Sequence, residues 1–160
     1  MKSNSSQKSY TVKEATVKLM QFCAYRDRSQ KEVEEKLKNM RMIPQAREQI
    51  IIQLMQENFL NEERFARSFV RGKFRIKKWG RIKIVQELKK KDISAPLVKI
   101  ALTEIDETAY FKNLQDLAEK KNQLIKEKDA YKKKNKLMSY LLQKGYEFQL
   151  VYEVCNEITH

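Results

Sequence analysis

Apolar side chains recur every three or four residues along most of the chain, which is the spacing of an α-helix. Thr11 and Ser29 each precede a glutamate by three residues, as in a helix capping box. Pro44 suits a first helical turn and Asn61 suits an N-cap. The pattern predicts an all-α fold of about nine helices. The expected apolar faces are Val12, Ala15, Leu19 and Phe22; Val33, Leu37 and Met40; Ile50, Ile51, Leu54 and Met55; Phe65, Phe69 and Ile76; Ile84, Val85 and Leu88; Leu97, Ala101, Leu102 and Ile105; Phe111, Leu114, Leu117 and Leu124; Leu137, Leu141 and Leu142; Val151, Val154 and Ile158.

The apolar positions themselves repeat about every fifty residues, which indicates three tandem three-helix repeats. Leu37, Leu88 and Leu141 take equivalent positions in the three copies. Such repeats contact mainly their neighbours, so we expect an elongated, curved, solenoid-like body. Near Asp129 no glycine or proline separates the seventh and eighth helices, and one continuous helix stays possible there. The predicted boundaries are residues 1–10 for a disordered polar tail, 11–59 for repeat 1, 60–105 for a basic repeat 2 and 106–160 for repeat 3.

Positive charge is concentrated in the second repeat. The 160-residue chain has 34 basic and 21 acidic residues, a net charge of +13, and such an excess attracts nucleic acid, anionic membranes or acidic proteins. Between residues 71 and 91 the only acid is Glu87. A solvated lysine-rich helical face is the alternative interpretation. The basic residues of this segment are Arg71, Lys73, Arg75, Lys77, Lys78, Arg81, Lys83, Lys89, Lys90 and Lys91.

Aromatic residues and a glycine accompany these cations. Trp79, the single tryptophan, and Phe74 interleave with them, as at surfaces that stack bases or pack against a partner. Trp79 is equally interpretable as a core residue that closes a turn. Gly80 stands at a predicted helix start, where exposed backbone N–H groups can receive an anion.

The chain carries few groups for catalysis. Its one histidine is His160, the last residue, and no phosphate-binding glycine motif occurs. Cys23 and Cys155 are far apart and read as reduced core residues, so we expect a cytoplasmic protein. No apolar run is long enough to span a membrane and no signal peptide is recognisable. We predict a monomer that is not an enzyme and holds no metal, nucleotide or other cofactor.

Several segments resemble the RecX family of bacterial recombination regulators. They are "LNEERFARSFVRGK", the pair Trp79–Gly80, "IVQELKKKDIS", "YRDRSQKEVEEKL" and "LLQKGYE". Only Lys144–Gly145 keeps the Lys-Gly that the family usually has after the second helix of each repeat. Asp92 at that place tolerates a left-handed cap, whereas Arg41 does so less readily, which makes the geometry of the first repeat less certain.

The resemblance implies a regulator that binds the RecA recombinase, chiefly its filament on single-stranded DNA, and limits filament assembly, ATP hydrolysis and strand exchange. It also implies a position along the groove of the filament. A stand-alone DNA-binding module and a scaffold that meets an acidic protein or anionic lipid stay open as alternatives. The predicted partner-binding or nucleic-acid-binding residues are Arg64, Arg67, Arg71, Lys73, Arg75, Lys77, Lys78, Trp79, Arg81 and Lys83.

Overall fold

The structure is a computed structural model that describes residues 9–159. Within that part of the chain there are nine α-helices and no strand, so the all-α prediction is confirmed. The predicted disordered tail falls mostly on residues 1–8, which lie outside the described part, as does His160. The helices are α1 (Val12–Tyr25), α2 (Gln30–Asn39), α3 (Pro44–Gln56), α4 (Glu62–Arg75), α5 (Arg81–Lys90), α6 (Ala95–Leu102), α7 (Glu107–Leu124), α8 (Ala130–Gln143) and α9 (Phe148–Ile158).

Thr11 and Asn61 form the caps that the sequence predicts, whereas at Ser29 the described structure shows one half of the predicted capping box, in which the Ser29 hydroxyl accepts from the backbone N–H of Glu32 at 3.2 Å. Thr11 makes a complete capping box with Glu14 at the start of α1. The side chain of Asn61 accepts a hydrogen bond from a backbone N–H of α4, at 2.9 Å. Helices α7 and α8 are separate, because residues 125–129 leave the helix and Asp129 caps α8 through the backbone N–H of Lys132. The possibility of one continuous helix is therefore excluded.

Two compact units divide the chain within α4. The first runs up to Phe65 and includes Lys91–Ile93, and its core is formed mainly by α1, α2 and α3. The second consists of Ala66–Lys90 and the residues from Ser94 onwards. Helices α7, α8 and α9 pack on one another in the second unit. The buried apolar residues of the second unit include Val70, Phe74, Ile84, Leu88, Val98, Ala101, Tyr110, Leu114, Ala118, Leu137, Leu141, Tyr146 and Val151.

The internal repeat is visible in both burial and backbone conformation. Leu37, Leu88 and Leu141 are all completely buried, as their equivalence predicts. The turn after the second helix of each repeat places one residue in the left-handed region, namely Arg41 (φ 59°), Asp92 (φ 58°) and Gly145 (φ 97°). Arg41 therefore adopts the same turn as the other two, although its side chain makes that conformation unfavourable.

Some predicted core positions are exposed. Ile76 is 78% exposed because it follows the end of α4. In α7 the buried stripe is Tyr110, Leu114 and Ala118, and Phe111 lies about 100° around the helix from it, on the solvent side. The remaining predicted core residues that are exposed are Val12, Met55, Leu124 and Leu142.

No helix of the described chain is both long and apolar enough to cross a membrane.

Candidate functional site

The basic segment, residues 71–91, covers the end of α4, the connection to α5 and α5 itself, and all of it except Lys91 lies in the second unit. Helix α4 ends at Arg75 and α5 begins at Arg81. Lys78 lies in the left-handed region with φ 57°, which reverses the chain. We call residues 75–79 the basic turn. The side chains of Arg75 and Lys77 are exposed and that of Lys78 is half-buried, and none of the three forms an ion pair with another residue in the range 9–159.

Glycine is required where the basic turn meets the turn between α8 and α9. The N–H of Gly80 donates to the carbonyl of Lys144 at 2.8 Å, and that of Ile82 donates to the carbonyl of Gly145 at 2.9 Å. A Cβ on Gly80 would approach the carbonyl carbon of Gly145 to 2.3 Å, so only two glycines allow the backbones this close. The two connections are therefore docked backbone to backbone.

The prediction that backbone N–H groups at Gly80 receive an anion is wrong. At the start of α5, the N–H groups of Gly80 and Ile82 bond to the α8–α9 turn, and the N–H of Arg81 donates to the hydroxyl of Tyr110 at 3.1 Å. These donors are already satisfied inside the protein, so none of them points at solvent to receive a phosphate. An anion at this surface has to be bound by side chains.

Trp79 is half-buried and serves both as part of the turn and as a support for cations. Its ring packs edge-on with that of Phe69, with centroids 6.4 Å apart, and the backbone N–H of Trp79 donates to the carbonyl of Lys73 at 3.1 Å. The ammonium groups of Lys73 and Lys83 lie 4.8 and 4.4 Å from the centroid of its ring. Cation–π attraction thus holds two lysines beside the basic turn.

Phe74 is a core residue and not a stacking surface. It is 4% exposed, and its ring stacks on that of Tyr110 with centroids 6.3 Å apart. The prediction that Phe74 stacks bases or packs against a partner is therefore wrong. Apolar residues at helical spacing cannot be assigned to the surface or the core without knowing what the next helix covers.

Arg81 is committed to contacts inside the second unit. Its guanidinium donates to Glu147 at 2.8 Å and also to Glu107, and it lies 4.0 Å from the ring centroid of Tyr110. Burial by itself lowers the pKa of Arg81, but the hydrogen bonds and charges of the two carboxylates outweigh burial and raise it. The Tyr110 hydroxyl also donates to Glu147. Burial is the main reason that the pKa of Tyr110 is raised, and this hydrogen bond raises it further.

Three further arginines of the predicted site are paired. Arg67 and Arg71 share the carboxylate of Glu104, at 3.0 and 3.2 Å. The pKa of Glu104 is lowered, chiefly because Arg67 donates a hydrogen bond to it. In the first unit, Arg64 contacts Asp27 at 2.6 Å. The arrangement separates these paired arginines from the unpaired cations of the basic turn.

Sequence reasoning missed the residues that hold the basic turn from behind. The hydroxyl of Tyr146 donates to the carbonyl of Lys78 at 2.7 Å, and the ammonium of Lys144 donates to the carbonyl of Lys77 at 3.4 Å. The only signal in the sequence is the Lys144–Gly145 pair. That pair does not indicate that its turn contacts Lys77 and Lys78, which lie more than 65 residues earlier in the chain.

The cysteines are buried and free, in agreement with the prediction that they belong to the core. Burial raises the pKa of the Cys155 thiol to about 11 and also raises that of Cys23. Within the described residues, no group of three or more histidine, cysteine, aspartate or glutamate side chains is arranged to hold a metal ion.

Comparison with known proteins matches two family models in succession. Residues 61–102 match the second three-helix domain of RecX, and residues 108–155 match the third. A crystal structure of RecX from Lactobacillus salivarius superposes with a TM-score of 0.81 over 92% of this chain and 96% of that chain. At 24% identity this similarity shows the fold.

Curated relatives carry the name "Regulatory protein RecX". The protein from Clostridioides difficile is 27% identical over 141 residues, which are 88% of this chain and 66% of the relative. That from Clostridium botulinum is 34% identical over 132 residues, 81% of this chain and 61% of the relative. That from Prosthecochloris aestuarii is 28% identical over 137 residues, 86% of this chain and 88% of the relative. The chain spans less than two thirds of the length of the first two of these relatives. Since the two domain models together cover more than half of it, this chain belongs to the RecX family.

Proposed function

We propose that this chain is a regulator that binds the RecA recombinase, chiefly its filament on single-stranded DNA, and limits filament assembly, ATP hydrolysis and strand exchange. The regulatory role is supported by the relatives, which are named regulatory proteins. The observation that carries the proposal is the basic turn, whose cations are exposed or half-buried, have no ion-pair partner among residues 9–159, and adjoin a backbone that is bonded to the α8–α9 turn. A filament of recombinase on DNA offers both phosphates and carboxylates to such a surface.

Charge pairing narrows the contact surface to part of the predicted set. An arginine that already holds a carboxylate gains less from a new anion, because the internal pair has to be broken or shared. The arginines that hold carboxylates are therefore structural residues, namely Arg64, Arg67, Arg71 and Arg81. The unpaired Arg75 offers a planar fork that suits phosphate or carboxylate, and Lys77 beside it offers a mobile ammonium. The proposed contact residues are Arg75, Lys77 and Lys78, flanked by Lys73 and Lys83.

A matched pair of charge-reversal variants tests this surface. The first changes Arg75, Lys77 and Lys78 to glutamate, and the control changes Lys120, Lys126 and Lys132, which are exposed in the third repeat. Both variants change the net charge equally, so only the location differs. We expect the first to lose inhibition of ATP hydrolysis by preformed recombinase filaments and the control to retain it. Equal loss in both variants would show that net charge rather than this surface is responsible.

Salt dependence distinguishes phosphate contacts from carboxylate contacts. If all three cations neutralise phosphates of single-stranded DNA, log affinity falls with log salt concentration less steeply in the first variant, and the magnitude of the slope should be smaller by about 2. If the cations meet recombinase carboxylates, inhibition falls while binding to bare DNA stays the same. Wild-type binding that is as tight on bare DNA as on filaments would support the stand-alone DNA-binding module instead.

A further inference from the structure

We propose that the turn between α8 and α9, residues 144–147, is a positioning element that sets the shape of the basic turn for its partner, with Tyr146 as its main residue. The inference rests on the proposed function, because it assigns the basic turn as the contact surface. Both segments belong to the second unit. The third repeat would then act on the partner through the second repeat.

The basic turn has a conformation that needs support. Lys78 has φ 57°, in a region that is unfavourable for any residue with a Cβ. The carbonyl of Lys78 accepts a hydrogen bond of 2.7 Å from the hydroxyl of Tyr146, whose side chain is completely buried. Because a buried side chain has few alternative positions, this bond fixes the peptide that follows Lys78 in one orientation.

Charge repulsion makes the support necessary. Arg75, Lys77 and Lys78 follow one another closely without an ion-pair partner among the described residues, and Lys144 adds a fourth cation against the carbonyl of Lys77. Like charges at this spacing favour an open, spread turn. The docked backbones of Gly80 and Gly145 oppose this spreading. A turn that is held in shape before binding loses less conformational freedom when the partner arrives.

Trp79 reports on this support without any partner. It is the only tryptophan of the chain and follows Lys78 directly, so its emission comes from the basic turn. Tyr146→Phe removes only the hydroxyl and keeps the buried ring. Tyr152→Phe is the matched control, since Tyr152 lies in the same unit and is 44% exposed.

The first measurement is quenching of Trp79 by acrylamide in variants whose fold is verified by far-UV circular dichroism. We expect Tyr146→Phe to make Trp79 more accessible and Tyr152→Phe to leave it unchanged. The concentration that half-inhibits ATP hydrolysis by recombinase filaments should rise roughly five- to tenfold in Tyr146→Phe, the factor that one hydrogen bond of ordinary strength provides. Unchanged quenching of Trp79 in a folded Tyr146→Phe protein would overturn the proposal.

A double-mutant cycle tests whether Tyr146 acts through the basic turn. The second variant neutralises Lys77 and Lys78 to glutamine, which leaves the carbonyl of Lys78 available to Tyr146. We expect the combined loss of inhibition to be smaller than the product of the separate losses, because the positioned charges are already gone. A combined loss of inhibition equal to the product of the two separate losses would contradict the positioning role of Tyr146. If wild-type protein does not affect the recombinase, the proposed function fails, and the quenching of Trp79 alone decides this inference.

Discussion

Replacing Arg81 by methionine should destabilise the second unit, because Arg81 holds three elements together. Methionine keeps the packing over the ring of Tyr110 but removes the bonds to Glu147 and Glu107. The side chains of Arg81 and Glu147 are 24% and 32% exposed, so their bond is partly shielded from solvent, whereas Glu107 is 69% exposed. A shielded charge-assisted hydrogen bond contributes about 1.5–3 kcal/mol and an exposed pair about 0.2–1 kcal/mol. The expected loss of unfolding free energy is therefore about 2–4 kcal/mol.

The assay is urea unfolding followed by the emission of Trp79, which lies in the same unit as Arg81. The control is Arg75→Met, which removes an exposed and unpaired arginine and should change stability by less than about 0.5 kcal/mol. Equal stability of the two variants would refute the structural role of Arg81. It would return Arg81 to the set of residues available to a partner.

Three other predictions follow from burial and charge. Leu88→Ala should lower the unfolding free energy by about 2–5 kcal/mol in urea titration, because Leu88 is completely buried. Cys23 and Cys155 should react with a thiol reagent at pH 8 far more slowly in the folded protein than in guanidinium, since burial raises the pKa of both thiols. Because the pKa of Glu104 is lowered in the folded protein, its ion pairs stabilise the fold at a pH above the ordinary pKa of glutamate. This stability is lost as the pH falls through the pKa of the folded state. In thermal melts, the Glu104→Gln variant should therefore lose less stability than wild type between about pH 5 and pH 3.

The sequence predicts the helices well because their signals are local. Thr11 and Asn61 cap helices through hydrogen bonds that span three residues, and the apolar spacing follows from the helical turn. The repeat is also readable, since Leu37, Leu88 and Leu141 mark equivalent positions in the chain. These features depend only on nearby residues or on self-similarity.

The site is less predictable because its state depends on distant contacts. Charge counting placed Arg75 and Arg81 in one set, but only Arg81 meets carboxylates, which lie 26 and 66 residues away in sequence. The sequence shows Phe74 as an aromatic residue among cations, whereas in the structure its ring packs against Tyr110. The sequence shows Gly80 at an open helix start, whereas in the structure the backbone of Lys144 and Gly145 accepts the hydrogen bonds of that start. Which cations have a carboxylate partner thus depends on contacts between residues far apart in sequence, both within a repeat and between repeats.

Whether the basic turn binds a recombinase filament is tested by comparing two binding partners. Fluorescently labelled protein is titrated with bare single-stranded DNA and with the same DNA coated by the recombinase, at one fixed salt concentration. We expect tight binding to the coated DNA, weak binding to the bare DNA, and loss of filament binding when Arg75, Lys77 and Lys78 are changed to glutamate. Equal affinity for both DNAs, or full filament binding by the folded variant, would contradict this expectation.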